Sequence, residues 1–137
     1  FIVGYPGETD DDVEELAQFL RAAQLDWAGF FPYSAEEGTD ASLLPNQVPG
    51  EEIAERLRYL HALQDDITAQ RNAAAVGRRL SVLVDQVEDG LPVGRSYREA
   101  PEIDGMIVLD RGEAGEWVEA EIDGGYGNDL SATVVTA

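Results

Sequence analysis

The first third of the chain contains two short apolar runs separated by an amphipathic segment. Residues 1–3 (FIV) and 27–31 (WAGFF) have the length and composition of buried strands. Between them, apolar residues recur at helical spacing from Val13 to Ala23, behind Thr9 and Asp12 in a capping-box arrangement. Strand, helix and strand in this order predict a βαβ unit with parallel strands. Because two strands are too few for a stable sheet, we expect further strands from outside this sequence.

A loop and a long amphipathic helix follow. Residues 35–47 contain Gly38, Asp40, Pro45 and Asn46, which favour irregular structure. Pro49 suits the first turn of a helix. After it, apolar side chains form a stripe at helical spacing, consisting of Ile53, Leu57, Leu60, Leu63 and Ile67. We expect the helix to reach Val76 and to end at Gly77 in left-handed geometry.

The remainder of the chain follows a β pattern. Leu80, Val82 and Val84 alternate with side chains of the opposite face, and the other strand candidates are residues 106–109, 117–122 and 132–135. Glycines separate these runs, and no helical spacing occurs among them. Several short strands with glycine-rich turns predict a small β-barrel. The sequence therefore predicts an α/β part over residues 1–77 and an all-β domain over residues 78–137.

The charge of the chain is strongly negative. Nine arginines, no lysine and 28 acidic residues give a formal net charge of −19. Divided at Gly77, the front part carries 4 − 15 = −11 and the rear part 5 − 13 = −8. Phosphate backbones require clustered cations, so we expect no direct nucleic-acid binding, whereas an acidic surface attracts basic partners. The alternative is that the negative charge only maintains solubility.

Several classes of protein are excluded or disfavoured by what the sequence lacks. It contains no cysteine, so it can form no disulfide, thiolate nucleophile or cysteine-ligated cluster by itself. No apolar run approaches the roughly 20 residues that cross a bilayer, and no signal-peptide pattern is present. We therefore expect a cytoplasmic protein with no membrane partner. Since Met106 is the only methionine, we also expect the chain to be a fragment of a longer protein.

Three motifs occur in an order and spacing typical of one enzyme family. They are FIVGYPGET at residues 1–9, YSAEEGT at residues 33–39, and VGRSY at residues 93–97, which continues through APEIDG at residues 100–105. The ordered set resembles the carboxyl-terminal part of the radical-SAM methylthiotransferases, and residues 64–77 are similar to the linking helix of that family. The resemblance implies the last βαβ part of an open (β/α) barrel, followed by a five-stranded antiparallel OB-like barrel, the TRAM domain.

The family contains a branch that modifies tRNA, the MiaB type, and a branch that modifies an aspartate of a small-subunit ribosomal protein. Glu36, Glu37 and residues 95–105 resemble the second branch. The acidic charge of residues 78–137 independently favours a basic ribosomal protein over tRNA. A tRNA methylthiotransferase and a non-catalytic acidic binding module remain the alternatives.

The resemblance also implies the cofactors. The intact enzymes bind S-adenosylmethionine and two 4Fe-4S clusters, whose cysteine ligands are absent from this chain. We therefore expect no catalytic and no metal-binding residue here, and no activity of the chain alone. Val3, Gly4, Phe31 and Tyr33 are the expected cofactor-binding residues, because they lie where parallel strands end. The alternative is that the apolar residues belong to the core and that Gly4 only shapes a turn.

The candidate substrate-binding residues are Arg95, Ser96, Tyr97 and Asp104, in the segment that resembles the centre of the TRAM domain. An arginine beside an aromatic ring is an efficient recognition pair. The expected partner is a basic small-subunit ribosomal protein. We expect the enzyme to be a monomer. In the alternative interpretation, Tyr97 packs into the barrel and Arg95 pairs with a nearby acid such as Asp104 or Glu102.

Three other conspicuous side chains receive structural interpretations. Trp27 and Trp117 are expected to anchor the core. His61, without a partner motif, is expected on the surface of the long helix.

Overall fold

The computed structural model describes residues 1–135 and begins with the predicted βαβ unit. Strands β1 (Ile2–Val3) and β2 (Phe31–Pro32) pair in parallel, with Ile2 opposite Phe31 and Val3 opposite Pro32. Helix α1 (Asp10–Ala23) connects them. Strand β2 is shorter than the apolar run predicted, because only its last position and the following Pro32 face β1 in the ladder.

Helix α1 starts with the capping box that the sequence predicts. The Asp12 N–H donates to Thr9 Oγ1 (3.2 Å), and the Thr9 N–H donates to Asp12 Oδ2 (2.9 Å). These reciprocal bonds satisfy backbone donors that the first turn of a helix leaves unpaired. The helix ends at Gln24, which adopts a left-handed conformation with φ of 51°.

Helix α2 (Gly50–Ala75) follows a short 3₁₀ helix (Ala41–Leu43) and confirms the predicted long helix. Gly77, with φ of +87°, ends it in the left-handed region that favours glycine. Two compact units divide within α2: residues 1–67 form the first, and residues from Thr68 onward form the second.

The core of the first unit lies between α1, α2 and one face of the two-stranded sheet. Val3 and Phe30 are buried there against α1 and the apolar stripe of α2. The buried side chains of this core are Val3, Val13, Ala17, Leu20, Phe30, Leu60 and Ile67. Ile2 and Phe31, on the opposite face, are each 65% exposed. The sheet is therefore covered on one face only.

The second unit contains a closed five-stranded barrel, which confirms the predicted fold class. Its strands are β3 (Arg79–Glu88), β4 (Leu91–Arg95), β5 (Ile107–Leu109), β6 (Trp117–Tyr126) and β7 (Asp129–Val134). They close in the order β3-β4-β5-β7-β6. Four pairings are antiparallel, as expected, but β5 and β7 pair in parallel. The barrel is therefore mixed, because closure brings two strands that run in the same direction side by side.

The barrel core follows the period-two alternation of its strands. On β3, the side chains of Leu80, Val82 and Val84 point inward, and their neighbours Val118, Ala120 and Ile122 do so on β6. The last turns of α2 also belong to this unit. Ala75 packs in the barrel core, and Asn72 Nδ2 donates to the carbonyl oxygen of Gly127 (3.0 Å).

Candidate functional site

The first candidate site is built on the turn that follows β1. Gly4 has φ of +93°, and a Cβ atom at this position would lie 2.4 Å from Ile53 Cγ1 of α2. Only glycine fits both constraints. Because Gly4 has no side chain, Ile53 of α2 can pack closely against the turn.

The carboxylate of Glu8 holds the same turn together. The Gly4 N–H donates to Glu8 Oε2 (3.0 Å), and Arg56 Nη1 of α2 donates to Glu8 Oε1 (2.8 Å). Arg56 Nη2 also donates to Asp10 Oδ1 (3.1 Å). Burial acts to lower the pKa of Arg56, but the hydrogen bonds to Glu8 and Asp10 outweigh it and raise that pKa. Arg56 therefore stays charged and fixes the turn to α2.

The open face of the two-stranded sheet forms an apolar hollow beside this turn. Ile2, Tyr5, Phe31 and Tyr33 line it. The rings of Tyr5 and Tyr33 meet edge to face with centroids 5.7 Å apart. Tyr33 is held at the strand end because its N–H donates to the carbonyl oxygen of Val3 (2.7 Å). Among the described residues, the buried Tyr33 hydroxyl has no hydrogen-bond partner.

Of the four predicted cofactor residues, two line the hollow and two do not. The structure brings Phe31 and Tyr33 together in the hollow. Val3 lies in the core on the other side of the sheet and is 1% exposed. Gly4 shapes the turn between them. The sequence did not single out Tyr5, whose side chain lies on the hollow. Strand alternation would place Tyr5 on the face of the buried Val3, but Gly4, with φ of +93°, interrupts that alternation.

The second candidate site is the segment that follows β4 in the barrel. Arg95 Nε donates to both carboxylate oxygens of Asp85 on β3 (3.1 Å each). Arg95 therefore pairs with a nearby acid, as the alternative interpretation expects, but that acid is Asp85 and not Asp104 or Glu102. Asp104 Oδ2 instead accepts from the Ala100 N–H (2.8 Å). The register explains the choice, since Arg95 lies opposite Leu83 and Asp85 is the next residue on the same outer face of β3.

Ser96 is buried and fixes the start of this segment. Glu99 Oε2 accepts from the Ser96 N–H (2.8 Å) and from Ser96 Oγ (2.6 Å). Glu99 is also buried, and its Oε1 lies 3.9 Å from Nη1 of the buried Arg98. Arg98 Nη2 in turn donates to Asn72 Oδ1 at the end of α2 (3.3 Å). These bonds fix residues 96–99 to the barrel.

Tyr97 projects outward from this fixed segment. Its side chain is 77% exposed, so the alternative in which it packs into the barrel is wrong. The Tyr97 hydroxyl accepts a hydrogen bond from Arg78 Nη2 (3.4 Å). Tyr97 and Arg95 border one shallow hollow, whereas Asp104 and Arg95 border a neighbouring one. Arg95 thus borders both hollows, one with Tyr97 and one with Asp104. Ser96 fixes the backbone between Arg95 and Tyr97 through its hydrogen bonds to Glu99.

The expectation that Trp117 anchors the core is wrong. Its side chain is 67% exposed and borders the same hollow as Tyr97. The alternation along β6 explains the position: Val118, Ala120 and Ile122 point inward, so Trp117 points outward. Trp27 is half-buried, and the exposed His61 contacts the ring of Phe30 with centroids 5.2 Å apart.

Two classes of feature are absent from the described part of the chain. Within residues 1–135, no three histidine, cysteine, aspartate or glutamate side chains are grouped so as to hold a metal ion. Neither helix of that range has an apolar stretch long enough to cross a bilayer.

Comparison with known proteins identifies the barrel and the family. Residues 76–135 match the TRAM domain family. The ribosomal protein uS12 methylthiotransferase RimO of Azoarcus sp. (strain BH72) is 48% identical over 125 residues, which cover 89% of this chain and 28% of that protein. RimO of Desulforudis audaxviator (strain MP104C) is 45% identical over 139 aligned residues, or 99% of this chain and 31% of that protein. The chain is similar to RimO proteins over nearly its whole length.

A third relative, RimO of Alkalilimnicola ehrlichii (strain ATCC BAA-1101 / DSM 17681 / MLHE-1), is 45% identical over 138 aligned residues, covering 98% of this chain and 31% of that protein. The chain thus spans about three tenths of the length of the RimO relatives that it matches. The motif-based assignment to the methylthiotransferases is confirmed, and so is the TRAM character of the barrel.

Proposed function

We propose that this chain is part of a ribosomal protein uS12 methylthiotransferase. The observation that carries the proposal is the 45% identity to a RimO protein over 99% of the chain. The intact enzyme would add a methylthio group to the β-carbon of an aspartate in uS12 by radical-SAM chemistry, in the cytoplasm and as a monomer. By itself, the chain would be inactive, because its sequence has no cysteine to ligate a 4Fe-4S cluster.

The apolar hollow on the first unit fits one part of S-adenosylmethionine. When bound, that cofactor supplies the radical and the methyl group. Phe31, Tyr5 and Tyr33 offer aromatic surface for a flat heterocycle. Val3 and Gly4 would not contact the cofactor directly. Val3 would position the end of β1, and Gly4 the turn that follows it. The two 4Fe-4S clusters do not fit this chain, which provides no ligand set for them.

The barrel would serve as the docking module for uS12. We assign residues 1–77 to the end of the catalytic barrel with its linking helix and residues 78–137 to the TRAM domain, although the last turns of α2 pack with the latter. The charge of −8 on residues 78–137 favours a basic protein substrate and opposes a polyphosphate such as tRNA. Arg95, Tyr97 and Asp104 are the proposed contact residues, positioned by Ser96.

Binding to purified uS12 and to tRNA tests the proposal. The 137-residue chain, immobilised by one end, is expected to bind uS12 with an affinity that falls as salt rises, because opposite charges drive association. Deacylated tRNA at the same concentrations is expected to give no saturable signal. Saturable, salt-sensitive tRNA binding without uS12 binding would overturn the assignment in favour of the tRNA branch. Binding of neither would favour a module with another partner.

A further inference from the structure

Two exposed aromatic side chains mark one outer face of the TRAM barrel. Trp117 is 67% exposed and Tyr97 is 77% exposed, although the strands that carry or precede them bury their inward side chains almost completely. Contiguous exposed apolar surface of this kind is typical of an interaction site. The two rings border one hollow together with Leu83 and Arg95.

The strand register places these side chains in a row. Trp117 on β6 lies opposite Leu83 on β3, and Leu83 lies opposite Arg95 on β4. Tyr97 follows Arg95 on the segment fixed by Ser96 and Glu99. Tryptophan, tyrosine and arginine are the residue types that contribute most to protein–protein binding. A rigid row of these types is thus preorganised for contact with another polypeptide.

Carboxylates continue the same face along β6. Glu119, Glu121 and Asp123 follow Trp117 at every second residue, which is the spacing of one strand face. Of these three carboxylates, only Glu121 forms an ion pair with an arginine among the described residues: Arg79 Nε lies 3.4 Å from Glu121 Oε2. Glu119 accepts from the Ser81 hydroxyl, and Asp123 accepts from Ser131 Oγ (2.5 Å) and Thr133 Oγ1 (2.8 Å). Two of the three charges are therefore not neutralised by a cation in this part of the chain.

We propose that this outer face docks an extended basic segment of the protein substrate. The face consists of Leu83, Tyr97, Trp117, Glu119, Glu121 and Asp123. An apolar side chain of the substrate enters the hollow between Tyr97 and Trp117. Alternate basic side chains then meet the carboxylates of β6, because side chains on one face of an extended chain recur about every 6.7 Å, as they do on β6. This inference rests on the proposed docking of uS12 and gives it a location.

RNA is the competing occupant of this face. Arg78, Arg79 and Arg95 lie near the two aromatic rings, and stacking rings with arginines also bind single-stranded RNA. However, Arg95 is engaged by Asp85 and Arg79 by Glu121. A phosphate chain along β6 would also meet Glu119 and Asp123 directly. Charge therefore favours the basic polypeptide.

The test measures the affinity of the 137-residue chain and its variants for purified uS12 and for a mixed-sequence ten-nucleotide RNA. Trp117→Ala is expected to weaken uS12 binding about tenfold, as for an aromatic residue at the centre of an interface. Tyr126→Ala is the matched control, because Tyr126 is a 74% exposed aromatic at the other end of β6. It is expected to leave the affinity unchanged.

A pair of charge variants tests the carboxylate row. Glu119→Gln with Asp123→Asn is expected to weaken uS12 binding several-fold and to reduce its salt dependence. Glu113→Gln with Asp89→Asn removes the same number of charges from exposed positions elsewhere on the barrel and is expected to have a much smaller effect. Circular dichroism of each variant confirms that the barrel is folded.

The outcomes separate this inference from the proposal on which it rests. If the unaltered chain binds uS12 and the face variants bind like their controls, the location is wrong and the docking function stands. If the unaltered chain does not bind uS12, both are overturned. RNA binding that Trp117→Ala abolishes would overturn the basic polypeptide as the occupant.

Discussion

The two compact units of the chain differ in how completely they enclose their own strands. In the first unit, β1 and β2 share a ladder of two residue pairs, and Ile2 and Phe31 are exposed on its open face. In the second, five strands close on themselves, and Ile107 and Leu130 are fully buried. A closed barrel leaves no unpaired strand edge. We infer that the barrel carries its function on its outer surface, whereas the first unit carries it on an uncovered sheet face.

The largest expected effect comes from the closed core. Leu130→Ala removes a side chain that is 0% exposed and should destabilise the barrel by about 3 kcal/mol, since it leaves a cavity. Phe31→Ala, on the open face of the first unit, should cost at most about 1 kcal/mol. Amide hydrogen exchange reports the stability of each unit separately. Equal losses at the two positions would contradict the difference between the units.

A smaller effect is expected at the turn that supports the open face. Gly4→Ala combines a left-handed backbone with a clash against Ile53, whereas Gly7→Ala, at φ of +88°, places its methyl group in open space. We expect a loss of about 1 kcal/mol for Gly7→Ala and of about 2 kcal/mol for Gly4→Ala. Urea denaturation measures both. Combining Gly4→Ala with Ile53→Ala should give less than the summed cost, because the clash is removed; simple additivity would show that Ile53 is not the cause.

The smallest effect concerns a carboxylate on the barrel surface. Hydrogen bonds from the Ser131 and Thr133 hydroxyls lower the pKa of Asp123. Because the folded pKa is depressed, the stabilisation is present above the unfolded value of about 3.9 and is lost as pH falls through the folded value. Ser131→Ala with Thr133→Val should raise the pKa of Asp123 towards the ordinary value in a carboxyl-carbon NMR titration. An unchanged titration midpoint would show that the hydroxyls do not hold the charge.

Local sequence signals predicted the elements well where the cause is itself local. Thr9 and Asp12 form their capping box, Gly77 ends the long helix, and the β3 alternation places Val82 in the barrel core. Each of these outcomes depends on residues within a few positions along the chain. The same alternation, applied to β6, would have placed Trp117 outside; the prediction failed because it used the size of the residue and not its phase.

Contacts between distant segments were beyond the reach of the sequence. Asp85 is the partner of Arg95 only because the β3–β4 register brings the two together. Glu102 and Asp104 are closer to Arg95 along the chain, so the sequence favoured them as partners. Likewise, Arg56 fixes the turn at Glu8 from a helix 48 positions away. No periodicity within either segment encodes such a pairing.

The sequence alone determined the acidic charge, the absence of cysteine ligands, the order of the two α-helices and of every strand except β4, and the motifs that indicate the family. Each is a property of composition or of neighbouring residues, so it persists in any fold of the chain. The tertiary structure alone decided that Val3 is core while Tyr33 lines a hollow, that β5 and β7 run parallel, and that Trp117 and Tyr97 share one surface. These facts depend on which strands meet at closure, and strand pairing joins residues that the chain itself keeps far apart.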